Sequence, residues 1–74
     1  MIQTRILNSE HTIIGDLKKG IFLDITKHYD YVMGKKRSFW RVDTGSQTIS
    51  SLNRTKTEAL KKAKIWLSKN LKEN

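Results

Sequence analysis

Three consecutive cations, Lys35-Lys36-Arg37, stand just before Phe39 and Arg41, with Lys27 and Tyr29 a short way upstream. Cations interleaved with aromatic rings are what a nucleic-acid surface needs: charge for the phosphates, planar groups for bases or sugars. The run follows Gly34, which makes it a basic hairpin loop. Phe39 and Arg41, two residues apart on an extended segment, share one sheet face, and Phe22 and Tyr29 are expected beside them. Lys27, Arg41 and the Lys35-Lys36-Arg37 loop would then contact phosphates or base edges, and Phe39 would add apolar contact. The competing reading is a solvated lysine-rich turn, with Phe22 and Phe39 covered by the N-terminal strands.

Other chemistries find less support. His11 and His28 lie in different segments without metal-ligand spacing, so neither a metal site nor a cofactor is expected. Asp16, Asp24, Asp30 and Asp43 fall near strand ends or at outward positions. Two of them could meet on a sheet and share a proton or a cation, but ordinary surface charge facing Lys27 or Arg41 is the simpler account. Tyr29 and Tyr31 read as packing or interaction surface rather than nucleophiles. Gly15, Gly20, Gly34 and Gly45 are single and scattered, which leaves no phosphate-cradling loop. Nucleophile, base and orienting group do not assemble, so no catalytic residue is expected and the chain reads as a non-enzyme.

The whole composition agrees with a binding role. Fifteen Lys and Arg against seven Asp and Glu give a net charge of +8 on 74 residues, which points to a polyanionic partner. The chain has no cysteine, and its longest apolar runs, such as Ile21-Phe22-Leu23 and Tyr31-Val32-Met33, build neither a membrane span nor a secretory segment. A cytoplasmic protein without membrane contact is expected, as one small domain over residues 1–74.

The elements that must position these residues are a meander and a helix. Met1–Leu7 and His11–Leu17 are short strand candidates, separated by Asn8-Ser9-Glu10. Lys18-Lys19-Gly20 makes a tight connection in which Gly20 supplies a positive φ. Ile21, Leu23 and Ile25 alternate with Phe22, Asp24 and Thr26 in a strand running to about Lys27. Trp40, Val42 and Thr44 alternate with Phe39, Arg41 and Asp43 in another. Gly45-Ser46 turns the chain into a last strand, Gln47–Leu52.

Residues 55–72 then form an amphipathic helix. Ala59, Leu60, Ala63, Trp66, Leu67 and Leu71 recur at three- and four-residue steps, and Thr55 with Glu58 has the capping-box form. Lys69 and Lys72 suit the negative end of the helix dipole. A helix of this length is marginal alone and needs a surface to lie on. Ile21, Leu23, Ile25, Trp40, Val42 and Ile49 provide it, with Trp66 and Leu67 buried against them. The expected fold is α+β: an antiparallel meander of three to five strands, within residues 1–52, packed on one C-terminal helix.

This organisation resembles the small DNA-binding domains of the AP2 and integrase N-terminal type. The matches are Ser38-Phe39-Trp40-Arg41-Val42, a strand carrying an aromatic and an arginine, and Thr57-Glu58-Ala59 opening the helix, over roughly Gly20 to Leu71. The resemblance implies a three-stranded sheet backed by a helix, with the sheet entering the major groove of duplex DNA. A second reading from another class is a protein-binding inhibitor or adaptor. Compact proteins that phages and plasmids use to block host or defence complexes are of this kind, and the same basic face would meet an acidic protein surface.

Overall fold

Strands β1 (Gln3–Asn8), β2 (His11–Asp16), β3 (Ile21–Val32), β4 (Lys35–Asp43) and β5 (Thr48–Asn53) precede a single helix, α1 (Lys56–Asn70). The computed structural model describes residues 2–70. The strands form one antiparallel sheet in the order β1-β2-β3-β4-β5, each paired with its neighbour in the chain. The architecture is α+β, a meander backed by a C-terminal helix. Leu71 and Lys72, expected in the helix, lie outside the described residues.

Short polar devices close the body's turns. Asn8 Oδ1 accepts from the Glu10 amide at 2.8 Å between β1 and β2. Gly20, with φ 72°, ends the β2–β3 turn as its position suggested. Between β4 and β5, the Thr44 hydroxyl accepts from the amides of Ser46 and Gln47 at 3.2 and 3.0 Å.

The helix start keeps the capping pattern with one change. Thr55 Oγ1 accepts from the Glu58 amide at 3.1 Å, while the Glu58 carboxylate accepts from the amide of Arg54 at 3.0 Å, not from that of Thr55. Both bonds satisfy donors at the entry to the first turn. At the other end, Asn70 Nδ2 donates to the Trp66 carbonyl at 2.8 Å.

The core lies between the helix and one sheet face: Ile14, Leu23, Ile25, Trp40, Val42, Ala59, Ala63 and Leu67. The helix touches β2, β3, β4 and β5 but not β1. Members of the expected core differ in depth, and Ile49 is only partly buried against it. Ile21 has the right parity, but it pairs with Asp16 at the last rung of the β2–β3 ladder and is exposed. Trp66 is only half-buried, packed at the edge of the core. Asn53, expected in the connection to the helix, is instead the last residue of β5 and fully buried. Its Nδ2 donates to the Trp40 carbonyl at 3.0 Å, beside a register irregularity that perturbs the ladder there.

Gly15 has a specific task. A Cβ at this position would lie 2.2 Å from the Ile21 carbonyl oxygen and 2.5 Å from the Phe22 Cα, both rigid backbone of the paired strand. Gly15→Ala therefore forces β2 and β3 apart and is expected to cost about 1–3 kcal/mol or more. Chemical denaturation measures this directly, and an unchanged midpoint would mean that the strands have room.

Candidate nucleic-acid interface

The expected basic loop is not a loop. Tyr29–Val32 and Lys35–Arg37 belong to β3 and β4, which pair continuously from Asp24↔Asp43 out to Val32↔Lys35. Only Met33 and Gly34 remain for the turn, with φ of 52° and 77°. Positive φ at both central residues marks the two-residue hairpin turn whose twist suits the strands. Methionine is an unusual occupant of its first position, and that hid the turn in the sequence.

Register and parity then divide the basic residues between two faces. Cross-strand partners share a face, and Ile25↔Val42 lie beneath the helix. Lys27↔Trp40, Tyr29↔Ser38 and Tyr31↔Lys36 therefore fall on the helix side, whereas Thr26↔Arg41, His28↔Phe39, Asp30↔Arg37 and Val32↔Lys35 fall on the outer side. Lys35, Arg37, Phe39 and Arg41 share the outer face as expected. Lys27, Lys36 and Tyr29 do not join them, because strand pairing through residue 35 fixes their parity where a loop would have left it open.

This hairpin outruns the rest of the sheet. The last link from β2 is the Lys27 amide donating to the Glu10 carbonyl at 2.9 Å, and β5 reaches β4 only as far as Trp40↔Asn53. From His28 to Phe39 the two strands have only each other, and every residue from Tyr29 to Ser38 is exposed. The result is a ribbon reaching roughly 17 Å beyond the sheet at about 3.4 Å per residue. It contributes to a shape measuring 50 × 22 × 21 Å.

On the helix side of the ribbon the described side chains are cationic, aromatic or small. Lys36 Nζ stands 4.2 Å from the centroid of the Tyr29 ring, and Lys27 Nζ lies 5.5 Å from Tyr29 and 5.9 Å from Trp40. Each contact at an exposed site is worth about 0.5–1 kcal/mol, which helps brace a two-stranded ribbon that would be marginal alone. Tyr31 completes the row, with no ring or ammonium group seated on it among the described contacts. The sequence places Tyr29 beside Phe39 and Arg41 and leaves Tyr31 as packing or interaction surface. The alternation Tyr29-Asp30-Tyr31 is the signal that could have joined both rings to Lys27 on one face.

The outer face is more self-contained. His28 stacks on Phe39 with centroids 5.5 Å apart and planes 21° from parallel, and its Nε2 shares a 2.8 Å hydrogen bond with Thr26 Oγ1. Arg41 donates from one guanidinium nitrogen to Asp43 Oδ1 at 3.1 Å and to Thr48 Oγ1 at 2.7 Å. Its Nε is buried without a hydrogen-bond partner. Asp24 and Asp43 are direct cross-strand neighbours, but Asp24 is engaged by His11 Nε2 at 2.8 Å and Asp43 by Arg41 and Thr48. Internal partners thus occupy the ends of Arg41, His28 and both carboxylates. On the ribbon's part of that face, Lys35 and Arg37 are left as the exposed cations.

Among the described residues no group of three or more His, Asp or Glu side chains converges on a possible metal position. No helix among them is long and apolar enough to cross a membrane. No family model, curated protein or solved structure matches this chain.

Proposed function

We propose that the protein binds nucleic acid, duplex DNA foremost, through the β3–β4 ribbon and without catalysis. The observation that carries this reading is the ribbon itself. Lys35, Lys36 and Arg37, with Lys27 at the base, face a single carboxylate, Asp30, on an extension that buries nothing of the core. An exposed two-stranded ribbon of this charge gains little for folding, and strands of this kind enter a groove of duplex DNA, major or minor. Its helix-side row offers cations to phosphates and the Tyr31 ring to a sugar or base. The architectural resemblance to AP2-type domains points to the same partner, though there the sheet body, not an arm, meets the groove.

The test is a titration of affinity for a random-sequence duplex across salt concentrations. Affinity should fall steeply with salt, and failure to bind at low salt would favour an acidic protein surface as the partner. Arg41 gives a sharper check, because its guanidinium is already committed to Asp43 and Thr48. Arg41→Ala is expected to lower the melting temperature while changing the log–log salt slope by less than about half a unit, since a phosphate contact is worth about 0.9. A loss of a full unit would return Arg41 to the interface.

A further inference from the structure

We propose that Met33, at the apex of the ribbon, is a wedge that enters the base stack of the bound duplex and kinks it. The inference rests on the ribbon being the DNA-contacting element, and it assigns that element a way of deforming its target.

Met33 is 95 % exposed, more than any other large apolar side chain described. Its backbone has φ 52° at the first central position of the turn, a conformation that glycine and asparagine adopt easily and methionine does not. Here a side chain that buries nothing occupies a site where its own backbone is disfavoured. Folding would be better served by asparagine, so the value of methionine lies in what it touches outside the molecule. An observed outlier of this kind points to function.

The surroundings specify the contact. A methionine side chain is long, unbranched and polarisable, suited to sliding between flat apolar surfaces. Val32 precedes it, itself exposed, so the tip is apolar for two residues. Lys35 and Lys36 follow within three positions and lie on opposite faces of the ribbon. They would meet phosphates on either side of an inserted tip. Apolar wedges presented between cations partly unstack a base step from the minor groove and bend the duplex towards the major groove. Such a wedge should favour pyrimidine–purine steps, which unstack most readily.

The test uses the full chain and a short duplex with a central TA step, dye-labelled at both ends, with bending read by energy transfer. Wild type should bring the ends together on binding. Met33→Asn removes the wedge and supplies a residue suited to the turn, so its melting temperature should equal or exceed that of wild type. It should bind with the same salt slope, at roughly tenfold lower affinity, and leave the duplex straight. Met33→Leu, apolar again, should restore the bend. If Met33→Asn bends the duplex as wild type does, or wild type binds without bending it, the wedge is overturned and the ribbon interface stands. If wild type does not bind duplex at low salt, both fall.

Discussion

Replacing Lys35, Lys36 and Arg37 together with threonine is expected to remove measurable duplex binding at moderate salt and leave the domain folded. All three side chains are exposed on the ribbon, and none belongs to the core. Threonine keeps the strand propensity that the ribbon needs. Three lost phosphate contacts at about 0.9 each should flatten the log-affinity against log-salt slope by roughly 2–3 units. At roughly 1 kcal/mol per contact, affinity should drop about a hundredfold. The control carries the same change in charge elsewhere: Lys61, Lys64 and Lys69, exposed on α1, replaced by glutamine. That variant should weaken binding only modestly, through net charge. Equal losses in the two would mean that the excess charge acts diffusely, and a larger loss from the helix variant would move the site to the helix. Circular dichroism on each variant separates lost contact from lost fold, which matters because Lys36 also braces Tyr29.

The meander and its helix were legible because periodicity reports burial. Leu23 and Ile25 alternate in β3, Trp40 and Val42 in β4, and Ala59, Ala63 and Leu67 recur in α1; all are buried where their spacing placed them. The ribbon was not legible, because it has no buried face to impose such a pattern. Tyr29, Tyr31 and Val32 look apolar and Lys35-Lys36-Arg37 looks polar, so composition suggested a strand ending in a loop. Cross-strand pairing, not burial, continues both strands to Met33 and Gly34. Without register, the sequence could not tell that Lys36 lies with Tyr29 on one face and Arg37 with Phe39 on the other. Nor could it show that Arg41 is held by Asp43 and Thr48, or that Gly15 lies against the backbone of β3. These are properties of partners brought together across strands, to which local spacing is blind.

The largest loss of stability is expected from Leu67→Ala. The helix sends three residues fully into the core, Ala59, Ala63 and Leu67, and two of them are alanines. Their small size lets the helix approach the sheet closely, but it also limits what each contributes. Leu60 and Trp66 add partial burial at the edges, so among the described residues Leu67 is the one large helix side chain fully removed from water. Truncating a buried leucine costs about 2–5 kcal/mol, through lost transfer energy and the cavity left behind. A close-packed layer of Ile14, Leu23, Ile25 and Val42 across from it has little scope to collapse, which favours the upper part of that range. A domain of this size has a total stability of roughly 4–11 kcal/mol, so the variant should lose a large share of it. At about 4–8 °C per kcal/mol, a loss of some 3 kcal/mol lowers the melting temperature by at least about 12 °C. Leu67→Met, which nearly conserves volume, should cost less than about 1.5 kcal/mol. The measurement is thermal unfolding of both variants followed by far-ultraviolet circular dichroism. If Leu67→Ala melts within a few degrees of wild type, Leu67 does not anchor the helix, and the stability of the meander must come from contacts within the sheet.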